Sequence, residues 1–116
     1  MAQVIADRRD IEFVVHEQLN IEELCKHELF AEYNRKTVDL ILTEARNFAV
    51  KEILPTQKEA DQMGCKFENG NVITPECFKR LWKLYKEGEW LAMTEKPEWD
   101  GQGMPYTAAM AANDYF

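Results

Sequence analysis

The sequence predicts an all-α fold, a helical bundle interrupted by one short hairpin or loop near residues 64–73. Two long segments carry apolar residues at helical spacing, each with recognisable start or stop signals. An Asn-Gly pair between short apolar pairs is typical of a hairpin turn. A length of 116 residues and a hydrophobic content of 46% suit one domain with a buried core. We therefore expect residues 1–116 to form a single helical domain.

The first predicted helix is short and amphipathic. Either Asp7 or Asp10 can serve as its N-cap. Its apolar residues recur at helical spacing, at Ile11, Val14, Val15 and Leu19. This pattern predicts one buried helical face.

A second short helix is predicted from a capping box. Asn20 would cap its start, Glu23 would reciprocate three residues later, and Leu19 would pack as a staple onto Leu24. The apolar spacing becomes irregular over residues 27–33, so we expect the helix to break or bend there.

The strongest helix prediction runs from Arg35 to about Leu54. Its apolar stripe has a period of about 3.6 residues and consists of Val38, Ile41, Ala45, Phe48, Ala49 and Ile53. Pro55 can either end this helix or kink it, because its ring clashes with the carbonyl four residues earlier. The next residues remain compatible with another turn or two, so we expect helix to near Asp61.

A hairpin or tight loop follows, and then another helix. Asn69-Gly70 predicts the hairpin turn. Thr74-Pro75 supplies an N-cap with proline at N1, and Gly88 supplies the stop. The apolar stripe of this helix consists of Phe78, Leu81, Trp82 and Tyr85. We expect this stripe, including Trp82, to belong to the core.

The Gly-x-Gly pair closed by Pro105 marks a tight turn where the backbone passes close to a neighbour, and Pro105 is placed to start a helix. That helix, residues 106–116, has no terminal glycine, no basic last turn and no following proline. We therefore expect the chain to be a fragment of a longer protein. Truncation would leave apolar residues exposed and favour a homo-oligomer. Those residues would be Met104, Tyr106, Met110, Tyr115 and Phe116.

Charge and hydropathy argue against two kinds of partner. The chain has 21 acidic and 14 basic residues, a net charge of −7, and no basic patch, which excludes a nucleic-acid partner. Its apolar runs fall far short of the roughly 20 residues that span a bilayer, so no membrane span is expected. Residues 1–10 lack the apolar core of a signal peptide. The 3 cysteines, an odd number, favour reduced thiols, and we expect a cytoplasmic protein.

Few residues point to chemistry. The carboxylates of the short helices could in principle do acid–base work, but nothing around them supplies a site, so we interpret them as solvated. They are Glu22, Glu23, Glu28 and Glu32. His16 is interpreted as a surface or structural residue, and no metal site is predicted, because the spacing of Cys25 and His27 is a common accidental one. Trp99, in a turn-rich segment, is a better candidate to line a ligand site.

Several stretches carry a family resemblance that extends over essentially the whole chain. They are residues 9–14 with Glu17, the long helix Thr37–Pro55, residues 64–70 with Val72 and Thr74-Pro75, Gly88-x-Trp90-x-Ala92, and Gly101-Gln102-Gly103-Met104-Pro105. Each motif is weak alone, but their order is specific. In this order they resemble the N-terminal helical domain of acyl-CoA dehydrogenases. The likeness is greatest to the long branch of that family, which includes the methylmercaptopropionyl-CoA dehydrogenases.

The resemblance implies an FAD enzyme that removes two hydrogens across the α–β bond of a fatty acyl-CoA thioester. The flavin domain and the glutamate base would both follow residue 116, so the resemblance assigns no catalytic residue to this chain and no FAD bound to it alone. An acyl-CoA substrate and an electron-transfer acceptor would be partners of the complete enzyme. Residues 1–33 would be extension helices and residues 34–116 the family core.

The site residues that the resemblance implies form a cleft-shaping turn, made of Trp99, Gly101, Gln102 and Gly103. Asp100 stands where the family usually has glycine, which leaves open how tightly this turn approaches its neighbour. A freestanding acidic helical interaction module is the alternative interpretation. The gene sequence beyond codon 116 would distinguish the two.

Overall fold

The first helix begins at a side-chain cap, as the sequence predicts. A computed structural model describes residues 7–116, so the first six residues of the predicted extension lie outside the described part. Asp7 caps α1 (Arg8–Glu12) by accepting a hydrogen bond from the Arg9 N–H at 2.7 Å. The helix continues without a break into a π-helical segment, Phe13–Gln18.

The start of α2 (Ile21–Leu24) differs from the predicted capping box. Asn20 has a left-handed backbone, with φ of 48°, and its side chain makes no capping hydrogen bond. Glu23 instead pairs with Lys26 at 2.6 Å, and Leu19 is 55% exposed. The capping box and the staple are wrong because an N-cap needs an extended backbone, whereas Asn20 turns the chain in the left-handed region that asparagine tolerates.

The long central helix is confirmed, and Pro55 does not end it. After a 3-10 turn at Glu28–Phe30, within the predicted break, Asn34 caps α3 (Arg35–Phe48) by accepting a hydrogen bond from the Thr37 N–H at 3.0 Å. Helical backbone then continues through a π segment, Ala49–Ile53, a 3-10 turn, Leu54–Thr56, and α4, Gln57–Met63. The local changes of helix type accommodate the ring of the proline and its missing N–H.

The predicted hairpin is confirmed, in the form of two short antiparallel strands. β1 (Lys66–Glu68) pairs with β2 (Asn71–Ile73). The two turn residues have positive φ, 50° at Asn69 and 77° at Gly70. This is the backbone of a type I′ turn, which explains the Asn-Gly pair.

α5 spans Cys77–Glu87 and begins later than expected. The residue at its N-cap position is Glu76, which makes no side-chain capping bond, so Thr74 is not the cap. Gly88 ends the helix as predicted, with its N–H bonded to the Leu84 carbonyl at 2.9 Å.

The core forms where α3 packs against α6 (Tyr106–Asn113). Three alanines of α6 and two small residues of α3 have no exposed surface, namely Ala108, Ala109, Ala112, Val38 and Ala45. Around this contact lie the other buried apolar residues, Ile11, Val15, Ile21, Leu42, Ala49, Met93, Met104 and Tyr115. The amino-terminal helices and the segment before α6 therefore complete one core.

Trp82 does not belong to that core, which corrects the sequence-based expectation. Its side chain is 51% exposed, and α5 contributes no buried residue. Trp82 stacks on Tyr85 at 6.0 Å and lines an open apolar groove of about 330 Å³ together with Phe48 and Ile53. The chain is only 19 Å thick along its shortest axis. In residues 7–116 no second layer covers the outer side of this stripe.

The apolar residues expected to be exposed divide into two groups. Tyr106 and Met110 are 69% and 49% exposed, as expected. Met104 and Tyr115 are each only 6% exposed, so the expectation was wrong for them. Phe116 is half-buried, in edge contact with the ring of Trp90 at 5.2 Å. Residues of the chain therefore cover part of the apolar surface that was expected to be exposed.

The difference between the core and the α5 stripe predicts unequal costs of truncation. Leu42→Ala should lower the free energy of unfolding by about 2–5 kcal/mol, because Leu42 is buried in the core. Trp82→Ala should cost no more than about 2 kcal/mol, from a stacking contact and partial burial. Urea unfolding measures both. A larger loss at Trp82 than at Leu42 would place α5 in the core after all.

Candidate functional site

The Gly101–Gly103 turn is held by backbone hydrogen bonds to an earlier stretch of the loop. The N–H of Gln102 donates to the Ala92 carbonyl at 3.0 Å, that of Gly103 to the Glu95 carbonyl at 2.8 Å, and that of Met104 to the Met93 carbonyl at 2.8 Å. A 3-10 turn at Pro97–Trp99 connects the two stretches. The turn therefore has a defined position.

Gly101 is required by close packing. A Cβ atom at this position would overlap the carbonyl group of Glu95, so the backbone does pass close to a neighbour, as predicted. Asp100 precedes it with a left-handed backbone, φ of 59°. Aspartate is one of the residues that tolerate this region, so Asp100 makes the bend that glycine makes more easily. The approach of Gly101 to Glu95 is therefore tight with aspartate at position 100.

Gln102 connects this turn to two other segments. Its carbonyl accepts a hydrogen bond from the Tyr33 hydroxyl at 2.5 Å, across 69 positions of the chain. Its side-chain amide donates to the Glu89 carboxylate at 3.0 Å. Glu89 itself has a left-handed backbone, φ of 60°, directly after α5. One residue thus joins the turn to the start of α3 and to the end of α5.

These contacts form one wall of an open groove of about 430 Å³ between α3 and residues 88–104. Its apolar surface comes from Leu40, Ile41, Trp90, Met93 and Met104. Carboxylates line it as well, at Glu32, Glu44 and Glu89. The groove therefore combines an apolar surface with negative charge.

The four residues of the predicted cleft-shaping turn are not all brought to this groove. Gln102 lines it, but Trp99, Gly101 and Gly103 are not among the lining residues. Trp99 is 66% exposed, and the Lys96 ammonium lies 5.5 Å from its ring centroid. Gly101 and Gly103 contribute backbone shape behind the groove.

Sequence reasoning missed the opposite wall of the groove. Tyr33 lies just before α3, and Thr37 and Glu44 lie in its first turn and its middle. No local signal links these residues to a loop far along the chain. The sequence predicted the helix stop at Gly88, but the residue with the left-handed backbone is Glu89 and not the glycine.

His16, expected to be at the surface or structural, is buried in a polar network. Its Nε2 lies 2.7 Å from the Asp39 carboxylate and its Nδ1 3.4 Å from that of Glu22. Arg35 donates a further hydrogen bond to Glu22 at 2.9 Å. Desolvation raises the pKa of Glu22, but its backbone hydrogen bond and those from His16 and Arg35 outweigh this, so the net shift of its pKa is downward. Glu22 is therefore an ion-pair partner.

Two features are absent from the part of the chain that the structure describes. Within residues 7–116, no group of three or more His, Cys, Asp or Glu residues is placed to hold a metal ion. No helix in that range is both long enough and apolar enough to cross a membrane. We take the groove as the candidate site because Gln102 of the predicted turn lines it.

Comparison with known proteins identifies relatives of this chain. No protein-family model matches it. The chain is 24% identical to the 3-methylmercaptopropionyl-CoA dehydrogenase of Ruegeria pomeroyi over 106 residues, 91% of its length. It is 40% identical to the butyryl-CoA dehydrogenase of Syntrophomonas wolfei over 85 residues, 68% of its length. The chain is similar to acyl-CoA dehydrogenases. These two similarities support membership of that family.

The similarity covers most of this chain but little of either relative. The chain spans 18% of the length of the Ruegeria protein and 14% of that of the Syntrophomonas protein. The similarity therefore concerns this segment and leaves most of each relative unmatched.

The packing at Gly101 predicts a local defect on substitution. Gly101→Ala should lower the free energy of unfolding by at least about 2 kcal/mol, because the added methyl group displaces the Glu95 carbonyl and disturbs the neighbouring hydrogen bonds. Amide chemical shifts should change at residues 92–95 and 102–104. Gly70→Ala is the control for steric overlap, since its Cβ would meet nothing within 4 Å, although its φ of 77° strains an alanine locally in the hairpin turn. Its shift changes should stay in the hairpin. A Gly101→Ala chain within about 0.5 kcal/mol of wild type would contradict the close approach.

Proposed function

We propose that this chain is the N-terminal helical part of an FAD-dependent acyl-CoA dehydrogenase and forms one wall of the cleft for acyl chain and flavin. The observation that carries the proposal is the similarity to two acyl-CoA dehydrogenases over 91% and 68% of the chain. The role is architectural, and the chain alone is inactive. The catalytic glutamate of such an enzyme would be supplied by another part of the polypeptide.

The groove supports a wall function better than a flavin-binding function. FAD carries a pyrophosphate, which proteins bind with helix N-termini, backbone N–H groups and cations. The described residues that line the groove include three glutamates and no lysine or arginine. These residues do not fit FAD, because their charge repels phosphate. The apolar surface formed by residues such as Leu40, Ile41 and Met93 instead suits contact with hydrocarbon.

Further parts of the proposal concern organisation and partners. Residues 1–33 are extension helices and residues 34–116 the family core. Acyl-CoA is the substrate and an electron-transfer protein the acceptor of the complete enzyme. Homo-oligomers form through apolar surface such as that around Trp82 and Tyr106, which are 51% and 69% exposed. A cytoplasmic location agrees with the three unpaired cysteines.

The cofactor tests the proposal most simply. The purified 116-residue chain should be colourless and retain no FAD through gel filtration, because its groove repels phosphate. The product of the whole reading frame that contains codons 1–116 should be yellow, and its flavin absorbance should bleach when a saturated acyl-CoA is added without oxygen. The absorbance spectrum of each protein gives the answer.

Three outcomes would contradict the proposal. Stoichiometric FAD on the 116-residue chain would mean that it is a flavoprotein by itself. A stop codon after codon 116 would favour the freestanding interaction module. If the longer protein is folded and binds flavin, but acyl-CoA does not lower the flavin absorbance, the proposed acyl-CoA dehydrogenase activity is contradicted.

A further inference from the structure

We propose that Tyr33 is a positioning residue, which ties the Gly101–Gly103 turn to the start of α3 and so sets the position of the Gln102 wall of the groove. What this wall does for an acyl ligand rests on the proposed function. The tie itself is a property of this chain and can be tested without flavin or substrate. Through this hydrogen bond, a residue of the amino-terminal segment would set the position of the turn, although that segment lies outside the expected family core, residues 34–116.

The geometry gives the hydroxyl of Tyr33 a specific partner. It donates a hydrogen bond of 2.5 Å to the Gln102 carbonyl, within the range of O–H···O bonds. Tyr33 itself is half-buried beside the groove. Its own N–H is bonded to the Phe30 carbonyl at 2.9 Å, and the next residue, Asn34, caps α3. The donor therefore lies between the 3-10 turn at Glu28–Phe30 and the N-cap of α3.

Among the hydrogen bonds of the described residues, the one from Tyr33 connects the turn to the segment that leads into α3. The backbone hydrogen bonds of the turn run to residues 92–96, which form no regular helix or strand. Asp100, which precedes the turn, has a positive φ of 59°, a conformation that costs energy for a residue with a Cβ and that surrounding contacts must hold. The Gln102 side chain reaches only Glu89, in the same loop region. Tyr33 thus links a loop assembly to the helical core.

The Tyr33 hydroxyl keeps its proton, and therefore its hydrogen bond to the Gln102 carbonyl, near neutral pH. Burial raises the pKa of the Tyr33 hydroxyl above its ordinary value of 10.0, and the nearby Glu32 charge raises it further. The hydroxyl therefore remains a donor at neutral pH. It loses its proton, and with it the hydrogen bond, only at alkaline pH above that value.

Amide hydrogen exchange of a Tyr33→Phe variant tests the proposal on the 116-residue chain. Phenylalanine keeps the ring and removes the donor. Exchange at the amides of Gln102, Gly103 and Met104 should become about tenfold faster, the effect of losing one hydrogen bond that restrains their opening. Amides in the middle of α3 should keep their wild-type rates. Tyr106→Phe, at an exposed tyrosine, is the matched control and should change neither set.

A measurement on the wild-type chain keeps the test independent of how well the variant folds. The ¹³C shifts of Gln102 and Gly103 should titrate at alkaline pH together with the ring of Tyr33. Unchanged exchange at residues 102–104 in Tyr33→Phe would overturn the proposal. An equal acceleration of exchange at the α3 amides would also overturn it, because Tyr33 would then only stabilise the fold as a whole. The same holds if the ¹³C shifts of Gln102 and Gly103 do not change when Tyr33 ionises. Failure of the longer protein to bind flavin would overturn the proposed function and leave these results intact.

Discussion

The rest of the structure depends on the contact between α3 and α6, which small side chains make possible. Ala45 on α3 and Ala108, Ala109 and Ala112 on α6 are completely buried. Small residues let two helices approach closely, and every surrounding side chain then packs at a distance set by that approach. The π-helical segment after α1 packs on α6, and the buried Met104 and Pro105 lead directly into it. Placing α6 therefore also places the segment that ends the candidate turn.

The candidate site is a consequence of this arrangement. Residues 101–104 lead towards α6 and are hydrogen-bonded through their backbone to residues 92–96. The groove lies between this loop assembly and α3, so its width depends on contacts that join the two. Its three glutamates disfavour phosphate groups at this surface, and its apolar residues suit contact with a hydrocarbon chain. The similarity to two acyl-CoA dehydrogenases supports the proposal that this surface is one wall of an acyl cleft.

The hairpin and α5 contribute little to the core. Phe67 and Val72 of the hairpin are 74% and 67% exposed, and α5 has no buried residue. An exposed ion pair between Arg80 and Glu52 connects α5 to the helix after α3, but exposed pairs stabilise proteins weakly. Such peripheral elements open locally more easily than a core does. This part of the chain is where a further layer of protein would have most surface to cover.

Several local features were predictable from the sequence, and distant contacts were not. The turn at Asn69-Gly70 and the close approach at Gly101 were predicted correctly, and Asp7, one of two N-cap candidates, caps α1. The caps predicted at Asn20 and Thr74 were also local, and they were wrong. The Tyr33–Gln102 hydrogen bond joins residues 69 positions apart, and no short sequence motif predicts it. Trp82 was misjudged for a related reason. Periodicity shows which face of a helix is apolar, but not whether another layer covers that face.

Overpacking the α3–α6 contact tests the account most directly. Ala109→Leu adds volume at a position with no exposed surface, whereas Ala31→Leu makes the same change at an exposed turn. Urea unfolding should show a loss of about 1–3 kcal/mol for Ala109→Leu, and a change within about 0.5 kcal/mol for Ala31→Leu. An Ala109→Leu chain as stable as wild type would contradict the claim that close approach of these two helices organises the fold.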